Sequence, residues 1–117
     1  MRHFLALVVL SLGVLVHAVS PSSLEVAKIE YLINAIESLQ NAQFIRNGIA
    51  YDSKAAAEHL RLKLRAAGSR IATAEDFIRL CASVSSVSGT PYKIRFSDGH
   101  TVTSEVYLRQ KLETFTQ

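Results

Sequence analysis

Phe44-Ile45-Arg46-Asn47-Gly48-Ile49-Ala50-Tyr51-Asp52-Ser53 sets the architecture of this chain. Two short runs of β-branched and aromatic residues flank Asn47-Gly48, and Asn-Gly favours the positive φ angles of a two-residue hairpin turn. A β-hairpin is therefore predicted, followed directly by a helix. Asp52 or Ser53 caps that helix, which runs from Lys54 to about Ala67 with Ala56, Leu60 and Leu64 on its core face. Gly68 ends it, because glycine enters the left-handed region at no steric cost.

The same punctuation recurs downstream. Tyr92 to Phe96 and Thr101-Val102 flank Ser97-Asp98-Gly99-His100 as a second hairpin, and Ser104 caps a last helix bearing Leu108, Leu112 and Phe115. Glu105/Arg109 and Arg109/Glu113 lie four residues apart on it. Gly48 and Gly99 each stand five residues before a serine, and Leu60-Arg61-Leu62-Lys63-Leu64 echoes Leu108-Arg109-Gln110-Lys111-Leu112. Duplication and shared hairpin-to-helix punctuation both account for the echo.

Upstream, Ser22 with Glu25 has the form of a capping box. Behind it Ile29, Leu32, Ile33, Ile36 and Leu39 form one apolar helical face, opposite Glu30, Asn34 and Glu37. Between the hairpin units, Thr73 opens a third helix with Asp76 three residues on and Phe77, Leu80, Cys81 and Val84 as its inner stripe. Ser83 to Pro91 is a polar loop. The order is α-ββ-α-α-ββ-α. The fold class is α+β, a single small domain over residues 24–117 with helices packed on small antiparallel β-hairpins.

A leader precedes the domain. Met1-Arg2-His3 supplies a positive start, Phe4 to Val16 an apolar stretch, and Val16-His17-Ala18 the small or tolerated residues a signal peptidase reads. Residues 1–18 are expected to be a signal peptide cut after Ala18, and 19–23 a linker. The apolar run is shorter than the roughly 20 residues a membrane span needs, and no second run follows. Removing 18 of the 117 residues leaves 99, with His59 and His100 as the remaining histidines and a net charge of +2 once Arg2 is lost. A 49% hydrophobic composition excludes a disordered chain, and a single cysteine excludes a disulfide-stapled miniprotein.

Several segments, in this order, resemble one bacterial family: Phe44-Ile45-Arg46-Asn47-Gly48; His59-Leu60-Arg61 with Lys63; Arg70-Ile71 with Thr73-Ala74-Glu75 and Phe77-Ile78; then Ser85…Ser88-Gly89 with Pro91-Tyr92. The family is that of the YfeK-like small exported proteins, a domain of unknown function, and the similarity runs from Lys28 to Leu112. Tyr107-Leu108 departs from it where a tryptophan is expected before the leucine. The resemblance implies export to the periplasm and a single domain, and it carries no catalytic or ligand residue.

The residues themselves offer little chemistry. No His-Glu-x-x-His, nucleophile elbow or Gly-rich phosphate loop occurs, so neither a metal nor a cofactor is expected. Cys81 is either a buried apolar residue or a nucleophile, and the serines of the Ser83–Ser88 loop are either a connector or a hydrolase feature. The densest charge lies from Lys54 to Arg70, where Lys54, Arg61, Lys63, Arg65 and Arg70 stand against Glu58 alone. Arg61, Arg65 and Arg70 are therefore the candidate binding residues for an anionic envelope component or protein partner, with nucleic acid excluded by export. The expected function is that of a non-enzymatic binding or interaction module of the periplasm. The alternative is a small hydrolase or transferase using Cys81 or a loop serine with His59.

Overall fold

The computed structural model describes residues 21–117; the predicted signal peptide, its cleavage point at Ala18 and the start of the linker lie outside them. In chain order the elements are α1 (Ser23–Glu37), β1 (Gln43–Arg46), β2 (Ile49–Tyr51), α2 (Ser53–Ala67), a 3-10 turn (Gly68–Arg70), α3 (Ala74–Cys81), β3 (Lys93–Arg95), β4 (Thr101–Thr103) and α4 (Ser104–Glu113). This is the predicted order. Asn47 (φ 51°) and Gly48 (φ 78°) both have positive φ, as the two central residues of a type I′ turn require.

The two hairpins do not stand apart. They join into one antiparallel sheet of order β2-β1-β3-β4, with Phe44 opposite Ile94 and Ile94 opposite Val102. Two hairpin–helix units thus meet through their first strands, as a two-fold axis through the sheet centre would arrange them. Phe44 and Ile94 point to the helices and are buried, while Gln43, Lys93 and Arg95 on the other face are exposed. There Arg95 Nη1 donates to Gln43 Oε1 across the strands at 3.0 Å.

α1 packs against α2, α3 and α4. Leu32 and Ile36 of α1, Phe77 and Ile78 of α3, Ile94 of β3 and Leu108 of α4 are the largest wholly buried side chains. Each stabilises the fold by about 1.5–3 kcal/mol through burial. Glu25 adds a polar brace between helices. Its carboxylate accepts the Ala74 amide at the start of α3 (2.8 Å) and an ion pair from Lys28 (3.0 Å), and these two hold its pKa below the ordinary value. The expected capping box at Ser22 is therefore half made: Ser22 accepts the Glu25 amide, but the Glu25 side chain goes to α3.

Other local expectations are corrected in the same way, by packing. On α2 the buried residues are Ala57, Leu60 and Ala67, with Ala56 and Leu64 only partly buried at the margins of that face. Asp52 is its cap, accepting the Ala55 amide, while the Ser53 hydroxyl donates to the Leu39 carbonyl. α3 ends at Cys81, so Val84 leaves the helical stripe, bridges to Pro91 and stands 41% exposed. Thr103 rather than Ser104 caps α4, and Ser104 is buried as its first helical residue. Arg109 pairs with Glu105 and with Glu75 of α3 in place of Glu113.

The turn that starts the fold is testable. Gly48→Val forces a β-branched residue into the left-handed region, with no neighbouring atom near the new side chain to confuse the result. Chemical denaturation is expected to show a loss of about 1–2 kcal/mol. An unchanged midpoint would show a turn of another kind.

Candidate functional site

Antiparallel register decides where chemistry gathers. Phe44 faces Ile94 and Ile45 faces Lys93, so the next step along the two strands sets Arg46 beside Tyr92, both on the side facing the helices. α2 passes over that corner. His59 and Lys63, one helical turn apart, descend onto it from the same helix face.

The four side chains form a connected network. Arg46 Nη1 lies 3.2 Å from both ring nitrogens of His59, and Arg46 Nη2 donates to Tyr51 Oη at 3.1 Å. His59 Nε2 is 3.2 Å from Tyr92 Oη, which also accepts from Lys63 Nζ at 3.0 Å. Lysine only donates, so Tyr92 Oη accepts from Lys63, and the direction of the His59–Tyr92 bond follows the His59 tautomer. Arg46 Nη1, equidistant from the two ring nitrogens, lies over the His59 ring rather than in line with either lone pair. The guanidinium of Arg46 also sits 5.0 Å from the centre of the Tyr51 ring, and the Lys63 ammonium 5.1 Å from that of Tyr92.

Burial first, then the positive charges of Arg46 and Lys63, holds the His59 pKa below its ordinary value of 6.5. Among the described residues no carboxylate stands within ion-pair distance of Arg46 or Lys63; the ion pairs of the domain involve Lys28, Arg61, Arg79, His100 and Arg109. Beneath this corner a pocket of about 150 Å³ opens between the sheet and the first turns of α2. Ile36, Phe44, Ala56 and Leu60 supply apolar lining, and Arg46, His59 and Tyr92 its polar wall.

The serine loop serves this corner structurally. Ser85 Oγ accepts from Asn47 Nδ2 and from the Val87 and Ser88 amides, Ser88 Oγ donates to Asn47 Oδ1, and Lys63 Nζ also donates to the Val84 carbonyl. Ser83 Oγ donates to the Ile78 carbonyl. Cys81 is 1% exposed, and desolvation pushes its thiol pKa up against the pull of Lys63 and Arg70. His59 hydrogen bonds to neither a serine nor Cys81. His100 lies in the other hairpin, 2.6 Å from Asp98 and stacked on Phe96. Among the described residues no cluster of three or more His, Cys, Asp or Glu could hold a metal ion, and no helix is long and apolar enough to cross a membrane.

The three sequence-predicted arginines are not brought together at one point. Arg61 is paired with Glu37 of α1 at 2.7 Å. Arg61 and Arg65 border a groove between α1 and α2, beside Glu30. Arg70 instead folds back, its Nε donating to the Ala67 carbonyl at 3.3 Å. Arg46, Lys63 and Tyr92 were not among the predicted site residues. Their signal was present, since each lies in a segment that carries the family resemblance and those segments converge here.

The fold and this corner define a small α+β domain, and residues 23–116 match the pattern of a family described as "Family of unknown function (DUF5329)". The chain belongs to that family. It is also 46% identical over 68 residues to "Uncharacterized protein YfeK" of Salmonella typhimurium (strain LT2), an alignment that covers 58% of this chain and spans 57% of that protein. No solved structure matches the chain.

The lowered pKa of His59 has a consequence for stability. The unfolded histidine takes up a proton as pH falls through about 6.5, before the folded one does, so the folded state loses stability on the acid side of that point. His59→Gln removes the titration while keeping a donor and an acceptor. Between about pH 7 and pH 5 the wild-type melting midpoint is expected to fall more steeply than that of His59→Gln. Parallel curves would show that His59 is not held neutral.

Proposed function

We propose that this chain is an exported, non-enzymatic binding module of the bacterial cell envelope, and that it captures an anionic ligand at the Arg46–His59–Lys63–Tyr92 corner. The observation that carries this reading is the pair of half-buried cations, Arg46 and Lys63, without a carboxylate partner among the described residues and directly beside an apolar pocket. Elsewhere in the domain, Arg61 and Arg109 are matched with acids. Partly buried charge is stable when an opposite charge meets it, and here a ligand is the natural source of that charge. Arg61 and Arg65 on α2 and Arg70 in the turn after it add positive charge that draws anions toward the corner over a longer range.

Export is supported by the leader and the family resemblance. Cleavage after Ala18 gives a mature protein beginning at Val19, and intact mass of the protein released from the periplasm checks both together. Retention of residues 1–18 in a membrane fraction would contradict the export reading. For the site, Arg46→Gln and the triple change Arg61→Ser, Arg65→Ser, Arg70→Ser separate capture from attraction. Loss of anion binding is expected with Arg46→Gln, while the triple variant keeps binding but shows a slower, less salt-sensitive association. The reverse pattern would move the site to the outer arginines.

A further inference from the structure

The donors and acceptors left over at this corner, together with the size of the pocket below it, restrict what can bind. Arg46 carries five N–H groups and uses one on His59 and one on Tyr51. Lys63 carries three and uses one on Tyr92 and one on the Val84 carbonyl. Tyr92 Oη accepts from Lys63 and is bonded to His59 Nε2. On the other side, the Ser104 hydroxyl of the pocket lining makes no hydrogen bond among the described residues and can accept. The corner is therefore rich in donors, with that hydroxyl as its free acceptor. A carboxylate is acceptor-only and suits the unused edge of a guanidinium; a singly protonated phosphate brings an O–H that needs an acceptor.

The pocket sets the other limit. Its volume of about 150 Å³ equals that of an apolar cavity that holds a single benzene ring. Drug-sized ligands need about 300 Å³ or more. Ala55 and Ala56 keep it open, since the larger side chains common on helices would fill it from α2. Ala55 is exposed at the mouth and Ala56 partly buried within.

We propose that the ligand is a small hydrophobic monocarboxylic acid, its carboxylate held by Arg46 and Lys63 and its body, one aromatic ring or a short alkyl chain, seated on Phe44, Ala56 and Leu60. This rests on the anion-capture reading above and names the class of ligand that reading leaves open.

The test uses the mature chain and four probes in calorimetric or NMR titration: benzoate, hexanoate, benzyl alcohol and inorganic phosphate. Benzoate and hexanoate are expected to bind, and benzyl alcohol and phosphate to bind at least about tenfold more weakly, each lacking one half of the recognition. Arg46→Gln is expected to lower benzoate affinity by about tenfold or more, the scale of a charge-assisted hydrogen bond. Ala56→Leu is expected to abolish benzoate binding by filling the pocket. Because Ala56 touches the core, Ala55→Leu at the exposed mouth gives a second block, with the melting midpoint as the check on folding. Phosphate binding that is as tight as benzoate binding and unaffected by Ala55→Leu would overturn the carboxylic acid class and leave anion capture standing. Absence of binding by every anion, or benzoate affinity unchanged in Arg46→Gln, would overturn both.

Discussion

The pairing of β1 with β3 is the contact on which the rest of the domain depends. Neither hairpin has enough surface to stand alone in water. Joined edge to edge they become a sheet whose centre, Phe44 and Ile94, closes against the helices. That one register brings α2 and α4 to the same side, gives α1 a continuous surface to pack on, and sets Arg46 beside Tyr92. A slip of a single residue would turn Phe44 and Ile94 outward and disperse the polar corner along with the core.

Charge in this domain is treated in two ways. Glu25 ties α1 to the first turn of α3, Arg109 ties α4 to α3, and Arg61 ties α2 to α1. The two arginine bridges join opposite charges across helices, and the Glu25 bridge joins a carboxylate to a backbone amide. At the corner over the pocket the pattern reverses: two cations share a neutral histidine and two phenols, with phenol oxygens, a backbone carbonyl and ring faces around them and no carboxylate paired with them among the described residues. In that cluster the positive charge has no carboxylate counterpart among the described residues. The surface pairs are worth little by themselves at physiological salt.

Much of the fold was legible because its signals are local. Asn47-Gly48 states the turn, Thr73 with Asp76 states a helix start, and the spacing from Ile29 to Ile36 states the buried face of α1. What was not legible depends on distant partners. Nothing in the sequence near Phe44 says that Ile94 lies opposite it, and so nothing says that Arg46 meets Tyr92. Local charge density singled out Arg61, yet its partner Glu37 comes from a different helix. Thr103 and Ser104 are equally able to cap, and packing selected threonine by burying the serine. The residues that carry the family resemblance pointed to the corner piecemeal, one or two from each segment, and only the fold assembles them.

Cross-linking tests that central pairing most directly. Ile45 and Lys93 are register partners on the open face of the sheet, within the Cα separation of about 4.5–5.5 Å that antiparallel neighbours share and a disulfide accepts. The double change Ile45→Cys, Lys93→Cys should form an intramolecular disulfide under mild oxidation, while Ile45→Cys, Arg95→Cys, displaced by two residues, should not. Equal yield from both pairs, or none from Ile45 with Lys93, would contradict the β1–β3 register and with it the site that the register builds.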